Sequence, residues 1–118
     1  MVGVVVIQST VFAVPFANTF ERDLHFTKHG HKFGALDASD YERIADVFMF
    51  GVMGIATHEC IRPGNVDRVR FDFRTHYEGV ACILPEFVRT FYRVERRFIL
   101  KYGGEARYFA HECSRTNL

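Results

Sequence analysis

Two histidines and a lysine stand at His25, Lys28 and His29, spaced i, i+3 and i+4, so a helix through them carries all three on one face. Imidazole exchanges protons near neutral pH, and a neighbouring ammonium holds one ring in its neutral, basic form. The set has the composition of an acid–base pair with a charge stabiliser beside it. The same residues also suit a last helical turn whose cations only complement the negative end of the helix dipole. Spacing leaves both readings open. A metal pair at His25 and His29 is a third reading. It is disfavoured because the Glu of a metalloprotease helix is missing and a third ligand would have to come from a distant acid such as Asp67.

A second group lies at Arg89-Thr90-Phe91-Tyr92. On a strand, Thr90 and Tyr92 share one face and Arg89 takes the other. A hydroxyl beside a phenol can hold a phosphate oxygen or a water at a scissile bond, although β-branched and aromatic residues are also what strands ordinarily carry. Cations crowd the stretch from Arg62 to Lys101, with acids between them. The formal net charge is only +1, which excludes a whole-molecule basic field, so any contact with nucleic acid must be local. The cysteines Cys60, Cys82 and Cys113 show neither a CxxC pair nor zinc-ligand spacing, and neither a structural metal nor a cofactor is expected. Cys82 lies in an apolar run and reads as a buried thiol. Cys60 and Cys113 can pair if their strands meet, which the sequence does not decide.

These groups need elements to position them. The chain of 118 residues, 48% apolar, suits a single domain with one core, and 13 Phe and 5 Tyr without Trp point to aromatic layers in it. Residues 1–17 form an apolar segment that fits a strand, from Val4 to Ile7, or a weak signal-like stretch. No Lys or Arg precedes Arg22, and Gln8, Ser9 and Thr10 interrupt a run too short to span a bilayer. No membrane partner is expected, and the domain proper is read as 18–118.

Asn18 with Glu21 resembles a capping box opening a helix that runs to His29, with Gly30 as its terminator. Ser39 with Glu42 predicts a second helix, along which Tyr41, Ile44, Ala45 and Phe48 recur at helical spacing until Gly51. After Gly54 the period falls to two. Strands are predicted at 55–62, 68–74, 79–84 and 88–94, with turns at Pro63-Gly64-Asn65 and Pro85-Glu86. Val69, Phe71 and Phe73 would face inward and Arg68, Arg70, Asp72 and Arg74 outward, as in a half-buried strand. Residues 98–100 and 107–109, either side of Gly103-Gly104, are read as a further edge strand. The sum is an α+β fold with N-terminal helices packed on a four- to five-stranded antiparallel sheet.

The order His25-Phe26-Thr27-Lys28-His29, Lys32-Phe33-Gly34, then Tyr41, Ala45 and Phe48 in a YxxxAxxF helix resembles the opening of the small ribonuclease toxins of bacterial polymorphic and contact-dependent inhibition systems. These are grouped with the barnase, EndoU and RelE-like folds. Cys60-Ile61-Arg62, Asp67 to Phe71, Tyr77 to Val80, Arg89 to Tyr92 and Tyr108 to Cys113 follow in the family's order, so the likeness covers about residues 20 to 115. Pro85-Glu86 stands where the family has an Asn-Gly or Asp-Gly turn, and His111 is an additional imidazole.

The resemblance implies metal-independent RNA cleavage, in which the ribose 2′-hydroxyl attacks phosphorus and leaves a 2′,3′-cyclic phosphate. His25 and His29 would be base and acid in an unassigned order, Lys28 the charge stabiliser, Thr90 and Tyr92 the phosphate holders, and Arg68, Arg70 and Arg89 the RNA-binding cations. It also implies a monomeric toxin, secreted or delivered, that acts in the cytoplasm of a target cell and is neutralised by an immunity protein. The competing expectation is a non-catalytic binding module, an inactive toxin relative or immunity-type partner, in which the same histidines are surface residues.

Overall fold

The computed structural model describes residues 13–116. Helix α1 spans Thr19–His29 and α2 spans Ala38–Phe50. Strands β1 (Thr57–Ile61), β2 (Asp67–Asp72), β3 (Tyr77–Ile83) and β4 (Glu86–Arg93) follow, and helices α3 (Arg96–Lys101) and α4 (Glu105–Ser114) come after the sheet. The strands form one antiparallel sheet in the order β1-β2-β3-β4, so the α+β class expected from the sequence holds.

The helix starts follow capping chemistry, with one correction. The Asn18 side chain accepts the Glu21 N–H at 2.8 Å, satisfying a donor that has no partner within the helix. At α2 the cap is Asp37, which accepts from the Asp40 N–H at 2.8 Å, and not Ser39, which lies inside the first turn. Glu42 is used elsewhere. It accepts the Phe16 N–H at 3.0 Å, and Asp46 accepts the Val14 N–H at 2.9 Å. Phe16 is buried and makes a parallel bridge to Val88, so the described part of the apolar N-terminal segment packs between α2 and β4; residues 1–12 lie outside the described residues. Gly30 ends α1 but keeps a helical φ of −58°, and the chain continues as a 3-10 turn, Gly30–Phe33. Its left-handed stop is Gly34, at φ 65°.

The edge strand expected at 98–100 and 107–109 is absent, because those residues belong to α3 and α4. Gly103 and Gly104, both at positive φ, turn one helix into the next, a conformation that glycine adopts without steric cost. Both helices pack on the sheet face that carries Phe71, where Val94, Ile99 and Tyr108 complete a buried cluster. The opposite face carries Arg70, Gly79 and Phe91, paired in register. Here Phe91 joins Phe16, Tyr41, Ala45 and Val88 in a second cluster, and the Tyr41 hydroxyl donates to the Phe91 carbonyl. The Met49 side chain packs directly on the Gly79 backbone on this face, where a Cβ would collide with its sulfur.

Covering both faces overturns the half-buried reading of β2. Arg70 is buried, and its guanidinium bonds Glu59 at 2.8 Å and the carbonyls of Phe48 and Gly51 at 3.0 and 2.7 Å. It thereby satisfies the open acceptors at the end of α2.

Cys60 of β1 and Cys113 of α4 form a disulfide with Cα atoms 6.0 Å apart. It fastens the last helix to the first strand of the sheet. Cys82 is a buried free thiol. Among the described residues no helix is long and apolar enough to cross a membrane.

Candidate functional site

Helix α1 lies against the outer strand β4, and its last turns meet the face on which Thr90 and Tyr92 stand. The His25 Nδ1 is 3.4 Å from the Thr90 hydroxyl, a long contact for a hydrogen bond. The His29 ring centroid is 5.6 Å from that of Tyr92, and the two imidazoles are 5.9 Å apart. Thr90 and Tyr92 share a face, as alternation requires. The β3–β4 register steps from Val80↔Thr90 to Ala81↔Val88, which leaves Arg89 as an extra residue in a bulge. Arg89 turns away to bond Asp67 at 2.9 Å and lies over the Phe87 ring.

A cavity of about 470 Å³ opens beside this meeting point, lined by Lys28, His29, Lys32, Tyr92, Arg93, Val94, Glu95, Phe98, Tyr102, Tyr108, Glu112 and Arg115. Of the residues singled out in the sequence, Lys28, His29 and Tyr92 line it. His25 and Thr90 stand immediately behind, with the His25 ring stacked on Phe16. Arg68 and Arg70 are not brought to this cavity. Both pair with Glu59, and Arg68 also bonds the Met49 carbonyl at 3.3 Å, on the sheet face that α2 covers. Cations that do line the cavity are Lys28, Lys32, Arg93 and Arg115. Arg93 continues the same strand as Tyr92, whereas Arg115 follows a helix that strand-like reading of residues 107–109 conceals.

Burial pushes the His29 imidazole down to about 4, with the charges of His25, Lys28, Lys32 and His31 acting in the same direction. His25 is also lowered, chiefly by burial, with Glu21 opposing and Lys28 adding to the fall. Both rings are therefore neutral at neutral pH and able to accept a proton.

Behind the lining residues Tyr108 and Glu112 lies a group that the sequence does not single out. Glu78 of β3 is fully buried, and its Oε1 accepts from the Tyr108 hydroxyl at 2.6 Å. Among the described residues no donor reaches its Oε2, yet the Glu112 carboxyl lies within hydrogen-bonding range. Glu112 is in turn held by Arg62 at 3.4 Å and Arg115 at 3.3 Å, and Arg62 also bonds its backbone carbonyl at 2.7 Å. Burial first, then Glu112, raises the Glu78 carboxyl well above its usual range, with Tyr108 and Arg62 opposing. Tyr92 completes the group, its phenol raised by burial and within reach of both Tyr108 and Glu78.

Asp67 is buried against Arg89, and among the described residues no set of three or more His, Cys, Asp or Glu is placed to hold a metal ion. The residues gathered at the cavity offer neutral bases, cations and a raised carboxyl. No protein-family model matches the chain, and a comparison with curated proteins finds no match.

Proposed function

We propose that this domain is a metal-independent endoribonuclease that cleaves RNA by attack of the 2′-hydroxyl on the adjacent phosphorus. The observation that carries the reading is the meeting of α1 with β4, which sets His25 against Thr90 and His29 against Tyr92 at the edge of a cation-lined cavity. That arrangement holds proton acceptors and positive charge together, as the reaction demands. Four cations against the carboxyls Glu95 and Glu112 give the lining a local excess of positive charge, suited to a phosphodiester although the whole chain is nearly neutral.

In this reading His29 takes the proton from the 2′-hydroxyl. Lys28, with Lys32 nearby, stabilises the charge that builds on the phosphoryl oxygens. Thr90 orients His25, whose neutral ring adds no repulsion against the protonated His29, and Tyr92 contacts the phosphate. The toxin setting, a cognate immunity protein covering the cavity and action in a target-cell cytoplasm belong to the same proposal and rest on the sequence resemblance alone.

The test is incubation of the purified domain with total RNA in EDTA beside His29→Ala. Cleavage by the parent, lowered at least a hundredfold in the variant, supports the proposal. RNA left intact by a demonstrably folded parent favours the binding-module reading.

A further inference from the structure

His29 serves as the base and His25 stands behind the cavity wall rather than in it, so the leaving 5′-oxygen takes its proton from another group on that wall. We infer that Glu78 and Glu112 form a buried carboxyl pair sharing one proton, and that Tyr92, whose ring lies beside that of His29, passes this proton to the leaving oxygen. The inference rests on the ribonuclease reading above.

Geometry carries it. Two carboxyls meet, and among the described residues no donor reaches Glu78 Oε2; such a contact is favourable only when one of the carboxyls is protonated. Arg62 and Arg115 hold the Glu112 carboxylate, which assigns the proton to Glu78. Tyr108, donating to Oε1 at 2.6 Å, fixes the Glu78 carboxyl and leaves Oε2 as the protonated oxygen. The groups facing Glu78 are thus Glu112 and Tyr108 from α4, Tyr92 from β4, and Arg62 from the β1–β2 turn. Burial away from water keeps the proton in place, and the raised carboxyl matches it.

The step balances. The 2′-oxygen bonds to phosphorus as its proton passes to His29. The bond from phosphorus to the 5′-oxygen breaks, and that oxygen takes the Tyr92 phenolic proton while Tyr92 takes the Glu78 proton. No tyrosinate forms, and the charge left on Glu78 is offset by Arg62 and Arg115. Solvent then restores the Glu78 proton and removes the one on His29. Tyr92 is the catalytic residue here, whereas Glu78, Glu112 and Tyr108 act through it as positioning residues.

The experiment compares two substrates: a short mixed-sequence RNA, whose alkoxide leaving group needs a proton, and the nucleoside 3′-(4-nitrophenyl phosphates), whose phenolate leaves without one. Glu78→Gln is expected to lose roughly a hundredfold on RNA and at most a few-fold on the aryl esters, with the high-pH fall in RNA cleavage abolished. Where Glu78→Gln lowers the melting temperature, Tyr92→Phe carries the same comparison. Equal losses on both substrates overturn the proton-supply role and leave a structural one. A parent domain inert towards both overturns the ribonuclease reading, and the inference with it.

Discussion

His25 and Thr90, separated by 65 positions in the chain, meet with Nδ1 3.4 Å from the hydroxyl oxygen. One turn further along α1, His29 faces Tyr92 two residues further along β4. A helix period of about four and a strand period of two thus run side by side, so two pairs of side chains come together across one helix–strand contact.

This contact predicts the pH dependence of cleavage at the acid end. The proposed reaction needs His29 neutral, and its imidazole is depressed to about 4, so the rate should persist well below pH 6 and fall only as pH drops through about 4. A rate profile on short RNA checks this. Loss of activity centred near the ordinary imidazole value, about 6.5, would place the base in a more solvated position than the structure shows.

Glu78 predicts a stability trend of opposite sense. Its folded-state carboxyl is raised to about 9, so the folded state holds a proton that the unfolded chain gives up near 4.3. Its contribution is full below that unfolded value and is lost as pH rises through about 9. Urea midpoints for the parent should therefore decline from pH 5 to pH 9 relative to those of Glu78→Gln, which carries no titrating proton. Parallel curves for the two proteins would contradict the raised carboxyl.

The sequence revealed some of this and concealed the rest. α1 was readable from Asn18, Glu21 and its His/Lys face, and β2 from the alternation of Val69 and Phe71 with arginines. α3 and α4 were not, because the six residues of α3 are too short to display a helical period and Gly103-Gly104 reads equally as a hairpin turn. With α4 unseen, Tyr108, Glu112 and Arg115 could not be placed at a site. Glu78 stayed hidden at the start of an apolar strand, where only tertiary packing shows that an acid is buried.

The disulfide should matter to both fold and site. Joining Cys60 to Cys113 closes a separation of 53 residues, for which chain entropy suggests about 4 kcal/mol of stabilisation. Cys60→Ser or reduction should lower denaturant stability by about that amount. It should also weaken cleavage, since α4 carries Tyr108 and Glu112. Unchanged stability on reduction would show that the packing of α4 does not need the tether.

Arg70 separates structural cations from those proposed to bind substrate. Removing its three hydrogen bonds in Arg70→Ala should destabilise the domain by about 2–3 kcal/mol, while the folded fraction binds RNA as the parent does. Lys32→Ala, at the cavity, should show the reverse. Denaturation and salt-dependent RNA binding, measured on both variants, decide the matter.

The central claim is that the cavity between α1, β4 and α4 catalyses 2′-hydroxyl attack on phosphorus, and the chemistry of the product ends tests it most directly. RNA treated with the parent domain in EDTA, analysed by mass spectrometry, should carry 2′,3′-cyclic phosphates opposite free 5′-hydroxyls, and His25→Ala, His29→Ala should produce none. Products ending in 5′-phosphates, or cyclic ends made equally well by the double variant, would contradict it.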